Sequence, residues 1–377
     1  MTERELQSIT EGTTSLLIYP HHDRQRGPAK KEQVPFYNPA MELNRDLSIV
    51  LIQWLVRNHP KQFQVLDGLA ASGIRGFRIA HQVKGNVVVS INDWSTIAYD
   101  LMLQNLAKTN LSNVSILHED VHVLLSKHRY DYVDIDPFGT PAIYIDSAIR
   151  GLRHHGILAV TATDTATLCG VYPVVCRRRY GSNPHHSQMM HEIGLRILIG
   201  FIARTAATHD TGITPLLSYT TDHYMRVYIR LNRKITDANK SMNNVQTISS
   251  SQLAFQKDST KKKIGPLWMG TIQDQTTLHG LYETLPYIPC GSEKHMITLL
   301  ELLTDEAEAP PFFYTVNSIA SYLNISPPSR KTLFTVFEDH DQGIWRTHID
   351  PTGFKTDANE KEIIEIFLQA KNIDEHK

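Results

Sequence analysis

The chain has 377 residues, too many for one ordinary hydrophobic core, so two domains are expected. Hydrophobic residues make up 41% and charged residues 20%, which excludes a disordered chain. The formal net charge of -1 excludes a globally cationic surface, so any polyanion must be met by locally gathered basic side chains. In chain order, residues 62–233 alternate short β-rich runs with helical patterns, as in a parallel sheet covered on both faces. Strands are expected at 64–67, 87–92, 114–117, 132–135, 157–161, 213–219 and 225–231. Helices are expected at 74–83, 95–108, 121–127 and 141–152 between the first five strands. A longer helix over about 188–208 carries the apolar stripe Ile193, Ile197, Leu198 and Phe201. The last two strands are so close that they form a hairpin, which places one antiparallel strand in the sheet.

Residues 236–263 are rich in Ser, Asn, Gln, Thr and Lys and end on Lys261-Lys262-Lys263, the texture of a loop or linker. The chain therefore divides into a first domain over 1–235, this linker, and a C-terminal domain over 264–377. The second domain closes with helical patterns at 316–323 and 329–338, joined through Pro327-Pro328. A β-wing at 343–349, a turn at 350–353 and a last helix after Ala358 follow, the order of a winged-helix unit.

The run Asp67-Gly68-Leu69-Ala70-Ala71-Ser72-Gly73-Ile74-Arg75-Gly76 links the first strand to the first helix. Small residues there admit a ligand close to the backbone, and the helix start offers free N–H groups. The second strand ends at Asp93, where a carboxylate suits both hydroxyls of a ribose. The third ends at Glu119-Asp120, placed to reach an adenine amine. Each acid alone is equally a strand-end or helix-capping residue. Together they line the carboxyl edge of the sheet, where open α/β sheets bind ligands.

The fourth strand ends Asp134-Ile135-Asp136-Pro137-Phe138-Gly139. As a bare string it is also good turn chemistry. At this place it matches the acid–proline–aromatic arrangement of methyltransferases that act on exocyclic base amines. Such an amine is a poor nucleophile because its lone pair is delocalised into the ring. Hydrogen bonds to the Asp136 carboxylate and the Pro137 carbonyl favour a tetrahedral nitrogen, and Phe138 can stack on the base. The expected fold is therefore α/β: a Rossmann-like class I methyltransferase domain with a seven-stranded, mostly parallel sheet, plus a smaller α+β C-terminal domain.

Several further runs make the sequence resemble one family, the tRNA (guanine-26, N2)-dimethyltransferases. They are Phe36-Tyr37-Asn38-Pro39-Ala40-Met41, Asn44-Arg45-Asp46-Leu47-Ser48, Leu168-Cys169-Gly170-Val171-Tyr172-Pro173, His191-Glu192-Ile193-Gly194-Leu195-Arg196, Ser218-Tyr219-Thr220-Thr221-Asp222-His223-Tyr224 and Ile264-Gly265-Pro266-Leu267-Trp268. The resemblance implies S-adenosyl-L-methionine as cofactor and tRNA as partner. It also implies roles for single residues: Arg45, Asp67, Arg75, Asp93, Asp120 and Val121 around the donor, Asp136 as the catalytic acceptor with Pro137, and Phe36 and Phe138 bracketing the guanine. An adenine-N6 or ribosomal-RNA guanine methyltransferase is the rival enzyme reading, and a non-catalytic RNA-binding factor the rival outside catalysis.

Residues 232–263 contain no cysteine, unlike family members with a zinc module, so no metal is expected. This and the compact length resemble the archaeal branch. Cys169, Cys176 and Cys290 are odd in number and read as reduced thiols, with no long apolar run for a signal or membrane span; a cytoplasmic, monomeric protein is expected. Arg177-Arg178-Arg179, the set Arg226, Arg230, Arg233 and Lys234, the Lys261–Lys263 run, and Arg330 with Lys331 are candidates for RNA phosphates.

Overall fold

The computed structural model describes residues 6–20, 35, 37–221, 223–253, 255 and 261–376. A hairpin of β1 (Gln7–Glu11) and β2 (Thr14–Ile18) precedes α1 (Glu42–Arg57). The alternation then runs β3 (Phe63–Asp67), α2 (Ile74–Gln82), β4 (Val87–Asn92), α3 (Thr96–Thr109), β5 (Val114–Leu117), α4 (Val121–Lys127), β6 (Tyr130–Ile135), α5 (Ile145–Gly151) and β7 (Leu152–Ala162). The short α6 (Thr165–Leu168) and α7 (Pro173–Tyr180) and the long α8 (Met190–Ala207) lead to β8 (Gly212–Thr220) and β9 (Met225–Asn232).

These seven strands, β3 to β9, form one sheet in the order β5-β4-β3-β6-β7-β9-β8. It is parallel from β5 to β7, and β9 runs antiparallel to both β7 and β8. β6 is buried along its whole length, because helices cover both faces and a parallel strand inside such a sandwich has no wet side. One face packs on α4, α5 and α8; the other packs on α1 and α2. Strand order reverses at β3: β4 and β5 lie to one side, β6 and β7 to the other. A crevice is therefore built at the carboxyl ends of β3, β4 and β6.

The expected linker is not a loop throughout. Residues 236–243 lie within α9 (Ile235–Asn243) and residues 245–249 form β10 (Val245–Ser249), which pairs antiparallel with β11 (Lys263–Trp268). The polar composition hid these elements because each buries only a narrow side. From α9, for instance, Ala238 and Ser241 face the sheet, and the Ser241 hydroxyl accepts the Ile213 amide at 2.9 Å. The expected boundary at 264 also does not divide the cores. Ile264, Leu267, Trp268 and Ile272 belong to the core under α8, while Leu278, Leu281, Met296 and Leu300 of α10 (Gln275–Thr284) and α11 (Glu293–Asp305) belong to the core under α1. Glycines permit this docking: a Cβ on Gly200 would stand 3.0 Å from the Trp268 amide nitrogen, and one on Gly280 would strike the Trp54 ring at 2.1 Å.

A third core begins only at Val316. It joins β12 (Tyr314–Thr315), α12 (Val316–Leu323), α13 (Arg330–Asp339), β13 (Ile344–Arg346), β14 (Gly353–Thr356) and α14 (Glu360–Glu375), in the helix–helix–hairpin order expected. The strands form an antiparallel sheet in the order β12-β14-β13. α12 and α13 start on Thr315 and Ser329, whose hydroxyls accept the Ser318 and Thr332 amides.

Candidate active site

The strand-end acids converge on the crevice. Asp67 closes β3, and its Oδ2 accepts the Gly76 amide at 3.0 Å across the turn. Burial pushes its carboxyl up to about 7, against the downward pull of Arg75. Asp93 follows β4 and ties the turn to the neighbouring strand: its Oδ2 accepts the Ala71 amide at 2.8 Å and its Oδ1 the Ser95 amide at 2.9 Å. Burial raises its pKa, with these amides pulling the other way. Asp120 caps α4, its Oδ1 accepting the His122 and Val123 amides at 2.7 and 3.4 Å. Val121 is buried beside Gly68, whose missing Cβ would sit 3.1 Å from the Asp134 carbonyl and 3.2 Å from the Val121 side chain. Ala71 and Gly73 both have left-handed backbone, with φ of 47° and 77°.

At the end of β6 the acids are organised by two arginines. Arg75 reaches from α2, its Nη2 donating to Asp136 Oδ2 at 2.5 Å and its Nη1 to Asn44 Oδ1 and Ser48 Oγ at 2.8 and 2.9 Å. Arg226 on β9 is fully buried and grips Asp134 with both Nη atoms, at 3.0 and 2.6 Å. Burial works to raise the Asp134 pKa, but Arg226 and Arg75 outweigh it and hold the carboxyl below its usual range. Asp134 thus stays ionised inside the core. That pins Arg75, which in turn orients Asp136. The Asp136 side chain is 22% exposed.

The loop beyond Asp136 is clamped. Pro137 is buried and Phe138 is 58% exposed. Gly139 has φ of 90°, a conformation that favours glycine, and it is hydrogen-bonded twice to Thr163, just past β7. The Gly139 amide donates to Thr163 Oγ1 at 2.6 Å, and the Thr163 amide donates to the Gly139 carbonyl at 3.0 Å. Phe36, expected opposite Phe138, lies outside the described residues.

A family model described as N2,N2-dimethylguanosine tRNA methyltransferase matches residues 20–368. The chain belongs to this family. Among curated relatives, a tRNA (guanine(26)-N(2))-dimethyltransferase of Methanobrevibacter smithii is 34% identical, over 97% of this chain and 98% of the relative. One from Methanothermobacter thermautotrophicus is 36% identical, over 88% and 92%. Among solved structures, the complex of Trm1 from Pyrococcus horikoshii with S-adenosyl-L-methionine has a TM-score of 0.84 and 31% identity, covering 96% of this chain and 99% of that one.

Within this member of the tRNA dimethylguanosine methyltransferase family, not every residue singled out from the sequence stands where it was expected. The fork of Arg45 is taken by Glu11, with Nε on Oε2 at 2.8 Å, and by the Asn38 carbonyl at 3.1 Å. This internal ion pair forms because the β1–β2 hairpin delivers an acid that no motif spacing signalled. Arg226 is a buried structural cation rather than a phosphate contact, and Arg233 donates to the Ile149 and Leu152 carbonyls at 2.7 and 2.6 Å. Arg177, Arg178, Lys261–Lys263, Arg330 and Lys331 are exposed. Sequence alone assigns no role to the supporting residues Asn44, Ser48, Asp134 and Thr163, and it assigns Arg226 to RNA rather than to Asp134. The run of Asn44 and Ser48 was visible as a motif, but its helical i, i+4 face toward Arg75 was not read.

Proposed function

We propose that this chain methylates the exocyclic N2 of guanine 26 in tRNA, with S-adenosyl-L-methionine as the methyl donor. The observation that carries the reading is the Asp136-Pro137-Phe138-Gly139 loop, clamped at the end of β6 beside the acids that close β3 and β4. The donor set fits an adenosyl compound with a cationic tail. Asp93 offers carboxylate oxygens suited to a ribose diol, Asp67 offers negative charge, and Gly68 lets the turn pack closely on the Asp134 carbonyl and Val121. Asp120, Val121 and Arg75 complete this set, and Arg45 contributes through the Glu11 pair behind it.

The donor supplies an already activated sulfonium methyl, so no nucleophile or metal is needed from the protein. Asp136 accepts a hydrogen bond from the guanine amine and the Pro137 carbonyl accepts the second, which localises the lone pair on nitrogen. As the methyl group is bonded to nitrogen, the amine proton becomes acidic and Asp136 is the nearest carboxylate to receive it. Phe138 stacks on the base. Arg75 holds Asp136 Oδ2 and so fixes the side-chain rotamer, leaving Oδ1 for the amine.

Transfer of labelled methyl from S-adenosyl-L-methionine to tRNA tests the reading, with nucleosides identified by mass spectrometry. Asp136→Ala should lower kcat by roughly 100- to 10,000-fold, and replacing the target guanine by adenine should abolish labelling. Asp136→Asn keeps a hydrogen-bond acceptor for Arg75 and should remain folded while losing most activity. Label in N6-methyladenosine, or none, would overturn the assignment.

The C-terminal unit is read as a second hold on the tRNA, through Arg330 and Lys331 at the start of α13. The enzyme is read as a single-chain, cytoplasmic one; the free thiols of Cys169, Cys176 and Cys290 suit a reducing compartment. Light scattering giving the single-chain mass of 42.8 kDa checks the first point.

A further inference from the structure

The surface segment that follows β7 is wired to the catalytic loop more firmly than its exposure requires. Asp164 Oδ1 accepts the Tyr180 hydroxyl at 2.7 Å, and Asp164 pairs with Arg179 at 3.1 Å. The Tyr180 hydroxyl also lies 2.8 Å from Thr140 Oγ1, one residue beyond Gly139. Together with the Gly139–Thr163 clamp, these contacts tie the loop just after Phe138 to α7. Cys176 and Tyr180 anchor α7 inward.

The outward side of α7 and the turn before it is chemically unusual. Val171, Tyr172 and Val174 are 51%, 56% and 63% exposed, and Arg177 and Arg178 are exposed one turn further on. Large apolar side chains gathered on a surface mark an interaction site. Aromatic and apolar faces interleaved with guanidinium groups match a single-stranded nucleotide, whose base stacks while its phosphates take the cations. Of the three arginines, only Arg179 has an ion pair among the described residues, leaving the positive charge of the other two for a polyanion. The 8 residues of α7 span about 12 Å. Tyr180 is tied to the catalytic loop, and Tyr172 stands at the far end. The surface therefore meets a nucleotide beside the target rather than the target itself.

We propose that α7 and the turn before it grip the RNA strand next to the extruded guanine, Tyr172 stacking on a neighbouring base and Arg177 and Arg178 holding its phosphates. This rests on the tRNA reading above. The test is steady-state methylation of tRNA by full-length wild type, Tyr172→Ala, Tyr172→Phe and the Arg177→Gln/Arg178→Gln double variant, at several salt concentrations. Tyr172→Ala should raise KM for tRNA about tenfold, with kcat at saturating tRNA and donor affinity unchanged, and Tyr172→Phe should restore it. The double variant should lower the slope of log affinity against log salt by about 2. Wild-type values of KM and salt slope in Tyr172→Ala and the double variant would overturn the α7 assignment alone. A wild-type protein that methylates no tRNA guanine would overturn the functional reading instead.

Discussion

Asp67 shows how burial at one residue reaches into ligand binding. Its carboxyl is pushed up to about 7 by removal from water, so near neutral pH the free protein holds a proton there for part of the time. A cationic donor favours the ionised form. Binding should therefore release a proton, and affinity for S-adenosyl-L-methionine should fall as pH drops below 7, approaching tenfold per pH unit. Calorimetry in two buffers of different ionisation enthalpy reads the proton release, and Asp67→Asn should flatten the pH dependence. Equal affinity at pH 6 and 8 in the wild type would show that Asp67 does not face the donor charge. The neighbouring Asp134 behaves oppositely under the same burial, since Arg226 and Arg75 both lie against it. Two buried aspartates one strand apart thus differ in charge state through their partners.

The β3–α2 turn is the element on which the proposed donor site depends. Ala71 holds φ of 47°, where a Cβ costs about 1–2 kcal/mol. Ala71→Gly should relieve this strain, offset by the greater freedom of glycine in the unfolded chain, and leave the urea midpoint unchanged or slightly higher. Ala71→Val, β-branched in the same conformation, should lower the midpoint and weaken donor binding, because the Ala71 amide is one of those that hold Asp93. Full donor affinity in Ala71→Val would mean the turn does not set the position of Asp93. The turn itself was legible in sequence from its small residues between a strand and a helix. The strain at Ala71 was not, since alanine gives no signal of a left-handed backbone.

Across the whole molecule, a buried ionic cluster joins the catalytic sheet to the third core. Glu192 on α8 pairs with Arg196 at 2.9 Å and with Lys355 on β14 at 3.0 Å, and its Oε1 accepts the Phe312 amide at 2.8 Å. Glu306 completes it with the Thr347 hydroxyl at 3.0 Å and the His348 ring. Burial works against the Glu192 charge, but Lys355 and Arg196 outweigh it and hold the carboxyl down to about 2, from an ordinary 4.5. Its contribution to docking is complete above pH 4.5 and is lost as pH falls toward 2. Acid should therefore loosen the C-terminal unit in this window, read as early proteolysis between the second and third cores. Lys355→Ala leaves Glu192 and Glu306 without their shared cation and should cost about 3–5 kcal/mol in denaturant unfolding. Cleavage and stability unchanged in that variant would remove the cluster from any role in holding the units together.

The sequence by itself determined the seven strands β3 to β9 and most of the helices between them, the strand-end acids, the Asp-Pro-Phe-Gly run as a motif, and the helix–helix–hairpin order at the C-terminus. These are local: each is written in periodicity or in side chains within a few positions of one another. Only the tertiary structure decided which charge answers which. Arg45 finds Glu11 34 positions away, and Arg226 finds Asp134 92 positions away. It also decided that residues 264–308 complete the catalytic cores rather than open a new domain. Ion pairs and core membership depend on which surfaces meet once the sheet has closed, and no spacing along the chain encodes that meeting.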